Sequence, residues 1–360
     1  MIRPICAIIN TNALKNNLKV IKNIAHKSKI WAVLKADAYG HGIKNIFPFI
    51  KNDTDGFAVL TLDEAIFLRE NGYNKPILLL EGFFNKEELY LIYKYFLTIT
   101  LHSKWQLNNL IKYKSKYPLN IYIKINSGMN RLGFSVKNII KIINIIKNQI
   151  NVYKITLMTH FADASKNSNF IKKQINNIKK NIRNYYNFSC SFANSAAILW
   201  HSYSHYDWIR TGIILYGASP TGNWKDISKK NIKPVMTLKS KIISIQKISS
   251  GEIIGYNNGQ CCTNKKHIIG IIACGYADGY PRNINNKTYV LVKGMKTLIL
   301  GNISMDMIAV DLTNIKTAKV GSSVELWGEN IKIDDVAKSS NTIGYELMCS
   351  VSKRVPRILK

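Results

Sequence analysis

The stretch Ala32-Val-Leu-Lys-Ala-Asp-Ala-Tyr-Gly-His-Gly42 places a lysine at the end of an apolar run, directly before a glycine-containing turn. Trp31 to Leu34 read as a buried strand, so Lys35 leaves a C-terminal strand end, where a β/α barrel keeps its chemistry. Desolvation at such a position favours a neutral, nucleophilic amine, the form that condenses with an aldehyde cofactor. Tyr39 offers a phenol four residues on, and Gly40 and Gly42 let the backbone approach a ligand closely. In isolation the run reads equally as a strand whose last residue reaches solvent, so the rest of the chain has to decide.

Outward from Lys35, short apolar runs alternate with longer amphipathic ones from Cys6 to about Tyr216, the pattern of β-α repetition around a parallel sheet. Strands are expected at Cys6 to Ile9, Ile30 to Leu34, Gly56 to Leu60, Pro76 to Leu80, Leu97 to Leu101, Ile121 to Ile125, Ile155 to His160, Phe188 to Phe192 and Trp208 to Arg210. Thr61-Leu-Asp-Glu64 fits a capping box, and Asn10 or Thr11 would cap the helix through Leu14, Leu18 and Ile21. Nine candidates for eight positions fit a (β/α)8 TIM-type barrel if the first strand is donated to another domain. After about Asn231 the rhythm changes to short strands separated by glycine turns, with one short helix near Ile333 to Ser339. The expected organisation is an α/β barrel over residues 10–231 and a mostly-β domain over residues 232–360, which strand 1–9 is a candidate to join.

Lysine and arginine number 51 against 21 acidic residues, a formal charge of +30. Nucleic-acid binding by charge needs the cations gathered on one face, whereas here they are spread among isoleucine and asparagine, as in Ile171-Lys-Lys-Gln-Ile-Asn-Asn-Ile-Lys-Lys180. Solvated helix faces are the expected result, and no nucleic-acid partner. The six cysteines form no C-x-x-C pair and no compact framework, and the seven histidines show no metal-ligand spacing. With no apolar stretch long enough for a membrane span or signal segment, a cytoplasmic protein is expected.

The lysine stretch resembles the cofactor-lysine signature of the alanine racemase family, and further matches follow in order along nearly the whole chain. They include Lys124-Ile-Asn-Ser-Gly-Met-Asn-Arg-Leu-Gly133, Met158-Thr-His-Phe-Ala162, Asn194-Ser-Ala-Ala197 and Arg210-Thr-Gly-Ile-Ile-Leu-Tyr-Gly217. Gly251-Glu-Ile-Ile-Gly-Tyr256, Gly275-Tyr-Ala-Asp-Gly279, Ser304-Met-Asp306, Tyr345-Glu346 and Arg354-Val-Pro-Arg357 continue the series. The resemblance implies pyridoxal 5'-phosphate (PLP) as cofactor and interconversion of L- and D-alanine, supplying D-alanine for peptidoglycan. It implies two bases, Lys35 and Tyr256, with His160 and Arg210 as cations that stabilise the phenolate of Tyr256. Arg210 is further expected to bond the pyridine nitrogen. The phosphate falls to Tyr39, Ser195, the backbone N–H groups of Gly212 and Ile213, and Tyr345; a glycine turn after a barrel strand opens N–H groups toward an anion in any case.

By the same resemblance Arg131 faces the cofactor phenolate and the substrate carboxylate, Met305 gives that carboxylate a backbone N–H, and Lys124 is a candidate for carbamylation that orients Arg131. Tyr276 and Tyr345 narrow the substrate corridor. Tyr256, Tyr276 and Met305 are expected from a second subunit, making a head-to-tail homodimer with shared sites. Asn126, Asn257, Asn302, Ser165 and Gly344 depart from the family pattern without removing a proposed catalytic group. A racemase of serine or of several amino acids, and a non-catalytic PLP carrier, remain as alternatives. A PLP decarboxylase would want an acidic partner for the pyridine nitrogen, against Arg210.

Overall fold

The computed structural model describes residues 3–182, 184–255, 267–285 and 287–360. It divides into two compact units, one of Leu18–Ala38 and Ile50–Leu215, the other of Met1–Asn17, Tyr39–Phe49 and Tyr216–Lys360. Strand β1 (Cys6–Ile9) belongs to the second of these.

In the first unit, β2 (Lys29–Val33), β3 (Gly56–Val59), β4 (Ile77–Leu79), β5 (Thr98–Leu101), β6 (Leu119–Asn126), β8 (Val152–Met158), β9 (Ser189–Ser191) and β10 (Trp208–Thr211) pair in parallel in the order β10-β2-β3-β4-β5-β6-β8-β9. The short β7 (Phe134–Ser135) adds to β6 outside this path. The ends of the sheet meet where the Arg210 N–H donates to the Ala193 carbonyl at 2.9 Å, closing an eight-stranded parallel barrel. Every residue of β3, β4 and β5 is buried, as strands covered on both faces require. Trp31 stacks on Trp208 at 4.4 Å and donates its indole N–H to the Tyr122 hydroxyl at 3.0 Å, so the largest core ring also satisfies its polar atom.

Amphipathic helices cover the barrel. Helix Phe170–Asn181 buries Ile171, Gln174, Ile175 and Ile178, while Lys172, Lys173, Lys179 and Lys180 point to solvent. That 3.6-residue periodicity shows where much of the positive charge goes. The capping box forms as read, with Thr61 and Glu64 bonding each other's backbone, and Asn10 caps the first helix (Thr11–Ile24) through the Ala13 N–H at 2.9 Å.

The second unit is built on β11 (Met236–Ile248), β12 (His267–Ile272), β13 (Tyr289–Val292), β14 (Met295–Leu300), β15 (Ile308–Asp311) and β16 (Ser323–Trp327). These follow the order β12-β15-β14-β13-β16-β11, and β11 also pairs β12, so they form a closed antiparallel ring. β1 and β17 (Arg357–Leu359) extend it: β1 lies antiparallel to β11 and parallel to β17. Val235 to Ser240 and Ile242 to Ile248 read in the sequence as two strands, but the chain runs through them as one, with register shifts on both sides of Lys241; a bulge bends β11 so that it serves both edges. Helix Ile333–Ser339 falls where expected, while helix Gly344–Ser350 and β17 lack a sequence signal strong enough to announce them. No described helix is long and apolar enough to cross a membrane.

Candidate active site

The backbone immediately after β2 does something no residue preference announces. Ala36, Asp37, Ala38 and Tyr39 all take left-handed φ values of 51–55°, a run that costs roughly 1–2 kcal/mol per non-glycine residue. One bond within the turn and one from outside it offset that cost: the Ala38 N–H reaches the Leu34 carbonyl at 2.8 Å, and the Asp37 N–H reaches the Glu64 side chain, on helix Leu62–Glu70, at 3.2 Å. Gly40 (φ 74°) completes it, and a Cβ there would stand 2.0 Å from the Met348 carbonyl oxygen, so only glycine fits. Lys35 is half-buried at the start of this turn, and its amine makes no hydrogen bond or ion pair with a described residue.

Around the C-terminal mouth of the barrel, Arg210 is 5% exposed and ties the ends of neighbouring strands together. Its Nη1 donates to the Ser191 carbonyl (2.5 Å) and hydroxyl (2.8 Å), and its Nη2 to the Thr159 (2.6 Å) and Phe192 (3.2 Å) carbonyls. Nη2 also meets His160 Nδ1 at 3.4 Å. A guanidinium only donates, so Nδ1 accepts and the imidazole proton sits on Nε2. Burial lowers the Arg210 pKa to about 10, which leaves it charged at neutral pH. His160 is pushed well below its ordinary value by burial first, then by Arg210, Lys124, Arg131 and Lys35. Both effects favour the neutral imidazole, the direction opposite to the cation that the resemblance implies for His160. Lys124 is likewise held well below the usual lysine range by burial, then by Arg210, Arg131 and Lys35, with Glu81 opposing.

Beyond β9, Asn194 caps the helix Ser195–Trp200 through the Ala197 N–H at 3.1 Å. This frees the Ser195 hydroxyl, which accepts from the Gly212 N–H at 3.0 Å next to Ile213. In the other unit, Tyr39 stacks on Tyr216 at 4.8 Å and lies 5.9 Å from Tyr345. Burial raises the pKa of both phenols, with Asp334 adding to the effect on Tyr345, so both stay protonated O–H donors. Tyr276 and Met305 are brought side by side, the Tyr276 N–H bonding the Ser304 carbonyl at 3.1 Å and the Ala277 N–H the Met305 carbonyl at 3.0 Å. Tyr256 lies outside the described residues.

Residues 9–220 match the family model described as the alanine racemase N-terminal domain, and residues 235–359 the alanine racemase C-terminal domain. The chain belongs to the alanine racemase family. It is 48% identical over 360 residues to the alanine racemase of Erwinia tasmaniensis, spanning 99% of both chains. To the catabolic alanine racemase of Klebsiella aerogenes it is 49% identical over 358 residues, again over 99% of both. Among solved structures, the biosynthetic alanine racemase of Pseudomonas aeruginosa superposes with a TM-score of 0.94 at 35% identity over 100% of both chains. The alanine racemase of Bartonella henselae, solved with covalently bound pyridoxal phosphate, gives 0.89 at 29% over 99% of both. Alanine racemisation is the activity of this family, and PLP its cofactor.

The alanine racemase barrel mouth suits that cofactor on its own chemistry. Arg210, Arg131 and Lys35 all act on the buried Lys124 and His160 there, with Glu81 opposing them at Lys124; the positive charge matches an anionic ligand. Among the described residues, none of the Arg210 bonds uses its Nε–H, and that donor suits a ring nitrogen. Two features escape sequence reading. Glu81 follows the apolar run of β4 as Lys35 follows β2, a signal that was legible. The buried set in which Gln174 donates to the Ser127 hydroxyl (2.9 Å) and the His160 carbonyl (3.2 Å), while Ser127 meets Thr159 (2.7 Å), was not, because its members are 47 and 32 residues apart in pairs.

Asp334 supplies a pH dependence. Its buried carboxylate accepts the Ser219 N–H through both oxygens at 3.2 Å, and burial raises its pKa from 3.8 to about 6. The folded state then holds a proton that the unfolded chain releases. The contribution of Asp334 to stability is fully present below about pH 4 and is lost, by up to about 3 kcal/mol, as pH rises through 6. Urea midpoints between pH 4 and 7 should show this slope in the parent protein, and Asp334→Asn should flatten it; an unchanged slope in that variant would refute the assignment.

Proposed function

We propose that the enzyme racemises alanine by a two-base route in which Lys35 serves one face of the substrate Cα and Tyr256, contributed by a second copy of the chain, serves the other. The observation that carries this reading is the grouping of Lys35, Lys124, Arg131, His160 and Arg210 at the C-terminal ends of the barrel strands. Bound PLP supplies the electron sink that makes the Cα proton removable. Lys35, an amine without a described partner, takes or returns that proton. Arg210 would hold the pyridine nitrogen, and its positive charge would keep that nitrogen unprotonated. His160, with Nδ1 facing Arg210, keeps its Nε2–H for the phenolate assigned to Tyr256 and passes on the influence of the guanidinium charge.

Tyr39, Ser195, Tyr345 and the N–H groups of Gly212 and Ile213 are assigned to the phosphate. Arg131 is assigned to the substrate carboxylate together with the Met305 N–H, and Tyr276 and Tyr345 to the corridor that favours a methyl side chain. Lys124 is assigned as a carbamylated lysine: its amine is deep among cations, and the neutral form that burial favours is the one that adds carbon dioxide. A homodimer with shared sites, in which Tyr256, Tyr276 and Met305 come from the second copy, is assigned from the family resemblance, and D-alanine for peptidoglycan, made in the cytoplasm, is the assigned product.

Purified enzyme with PLP and L-alanine, followed by chiral chromatography beside L-serine, tests the reaction: D-alanine should far exceed D-serine. The second base has its own test. Tyr256→Phe should slow racemisation by roughly 1,000-fold, yet in deuterated water it should still exchange the Cα hydrogen of one enantiomer through Lys35. Full exchange of both enantiomers would remove Tyr256 from the mechanism.

A further inference from the structure

Three motifs that the catalytic reading leaves without work, the aspartate of Gly275-Tyr-Ala-Asp-Gly279, the aspartate of Ser304-Met-Asp306 and the first arginine of Arg354-Val-Pro-Arg357, meet in one place. Asp278 is 0% exposed. Arg3 Nη1 donates to both its oxygens (2.6 and 2.7 Å), Arg354 Nε donates to Oδ1 (2.7 Å), and the Gly275 N–H donates to Oδ2 (2.8 Å). Neither guanidinium stops there. Arg354 Nη2 pairs with Asp306 Oδ1 at 2.6 Å, and Arg3 Nη2 donates to the Asp306 main-chain carbonyl. Each arginine therefore spans from Asp278 to Asp306, and the two positive and two negative charges cancel.

The segments so joined carry Tyr276 and Met305. Their backbones already touch through the bonds from Tyr276 to Ser304 and from Ala277 to Met305. At Gly275 a Cβ would fall 2.3 Å from the carbonyl oxygens of both Ser304 and Met305, so the two segments pack backbone against backbone. A buried carboxylate must be fully paired to be tolerated, and here the pairing is spent on two exposed side chains, Tyr276 at 40% and Met305 at 53% exposure.

We infer that Asp278, clasped by Arg3 and Arg354, is a positioning residue that fixes the separation of Tyr276 and Met305 and thereby limits the size of substrate side chain the enzyme admits. This rests on the reading that Tyr276 and Met305 stand beside the substrate. Asp278 touches no reacting atom; it acts through the two segments it joins. A purely structural carboxylate, tying the first residues of the chain to the last, would lower stability and reduce the turnover of all substrates in proportion.

The test is the selectivity of the full-length PLP-loaded enzyme between L-alanine and L-2-aminobutyrate, which differ by one methylene. Asp278→Asn should keep kcat for alanine within about threefold, raise its KM, and shift the ratio of kcat/KM values toward aminobutyrate by about tenfold, the scale of one methylene in a pocket. A proportional loss for both substrates, or no change, overturns the inference. If Asp278→Asn does not fold, Arg3→Met decides, since it keeps the Arg354 pair: the same shift, smaller, supports the inference and an unchanged ratio overturns it. Tyr276→Ala separates the two levels. A shifted ratio there with none in Asp278→Asn removes the inference alone, and an unshifted ratio in Tyr276→Ala removes the reading of Tyr276 and the inference with it.

Discussion

Lys35→Ala is expected to lower kcat/KM for both alanine enantiomers by about 10,000-fold or more while leaving the protein folded. The two halves of that expectation have separate grounds. The Lys35 amine has no hydrogen-bond or ion-pair partner among the described residues, and it sits among cations that its removal relieves. Substitutions of that kind change stability by only about 0.5 kcal/mol. What disappears is the one amine at the head of the left-handed turn, and with it both the attachment point for the cofactor aldehyde and one of two proton carriers. A small alkylamine added to the variant should restore part of the activity. Retention of more than a tenth of the parent rate, without added amine, would end the assignment of Lys35.

Arg210 presents the opposite balance, with stability and activity lost together. Arg210→Met leaves the Ser191, Thr159 and Phe192 carbonyls and His160 Nδ1 without the donor they share. An orphaned buried acceptor costs about 1–3 kcal/mol, and such costs in one network do not add fully. A loss of about 3–5 kcal/mol is expected, seen as a lower urea midpoint with an unchanged slope. Racemisation should fall by at least about 100-fold, because the pyridine donor and the relay through His160 go together. Arg210→Lys should recover part of the stability, since an ammonium can bond some of these oxygens, and little of the activity, since it cannot present the planar fork. An Arg210→Met protein as stable as the parent would show that the strand ends do not depend on this side chain.

The barrel was readable because each of its parts is local. An apolar run of four or five residues followed by an amphipathic one is a property of neighbours in sequence, and the nine expected strands differ from the observed ones by at most three residues at an end. The chemistry-bearing residues were readable for a related reason: a parallel barrel puts every strand's C-terminal end at one mouth, so Lys35, Arg131, His160, Asn194, Ser195 and Arg210 could be grouped before any distance was known. The ordered motifs gave the family. Tyr276 and Met305 could be named in this way, but the clasp behind them could not, because Arg3 and Asp278 are 275 residues apart.

By itself, then, the sequence determined the succession of elements, the strand ends that carry the chemistry and the kind of enzyme, all of which follow from periodicity and short motifs. Tertiary structure decided the direction in which the His160 pKa moves, the bonding of Arg210, the left-handed turn after Lys35 and the pairing of Asp278. A pKa is set by burial and by every charge within reach, and the cations that act on His160 come from four separate points of the chain. Four successive left-handed residues hold only when surrounding contacts outweigh their local cost. Quantities that are sums over sequence-distant atoms come into being only once the chain has folded.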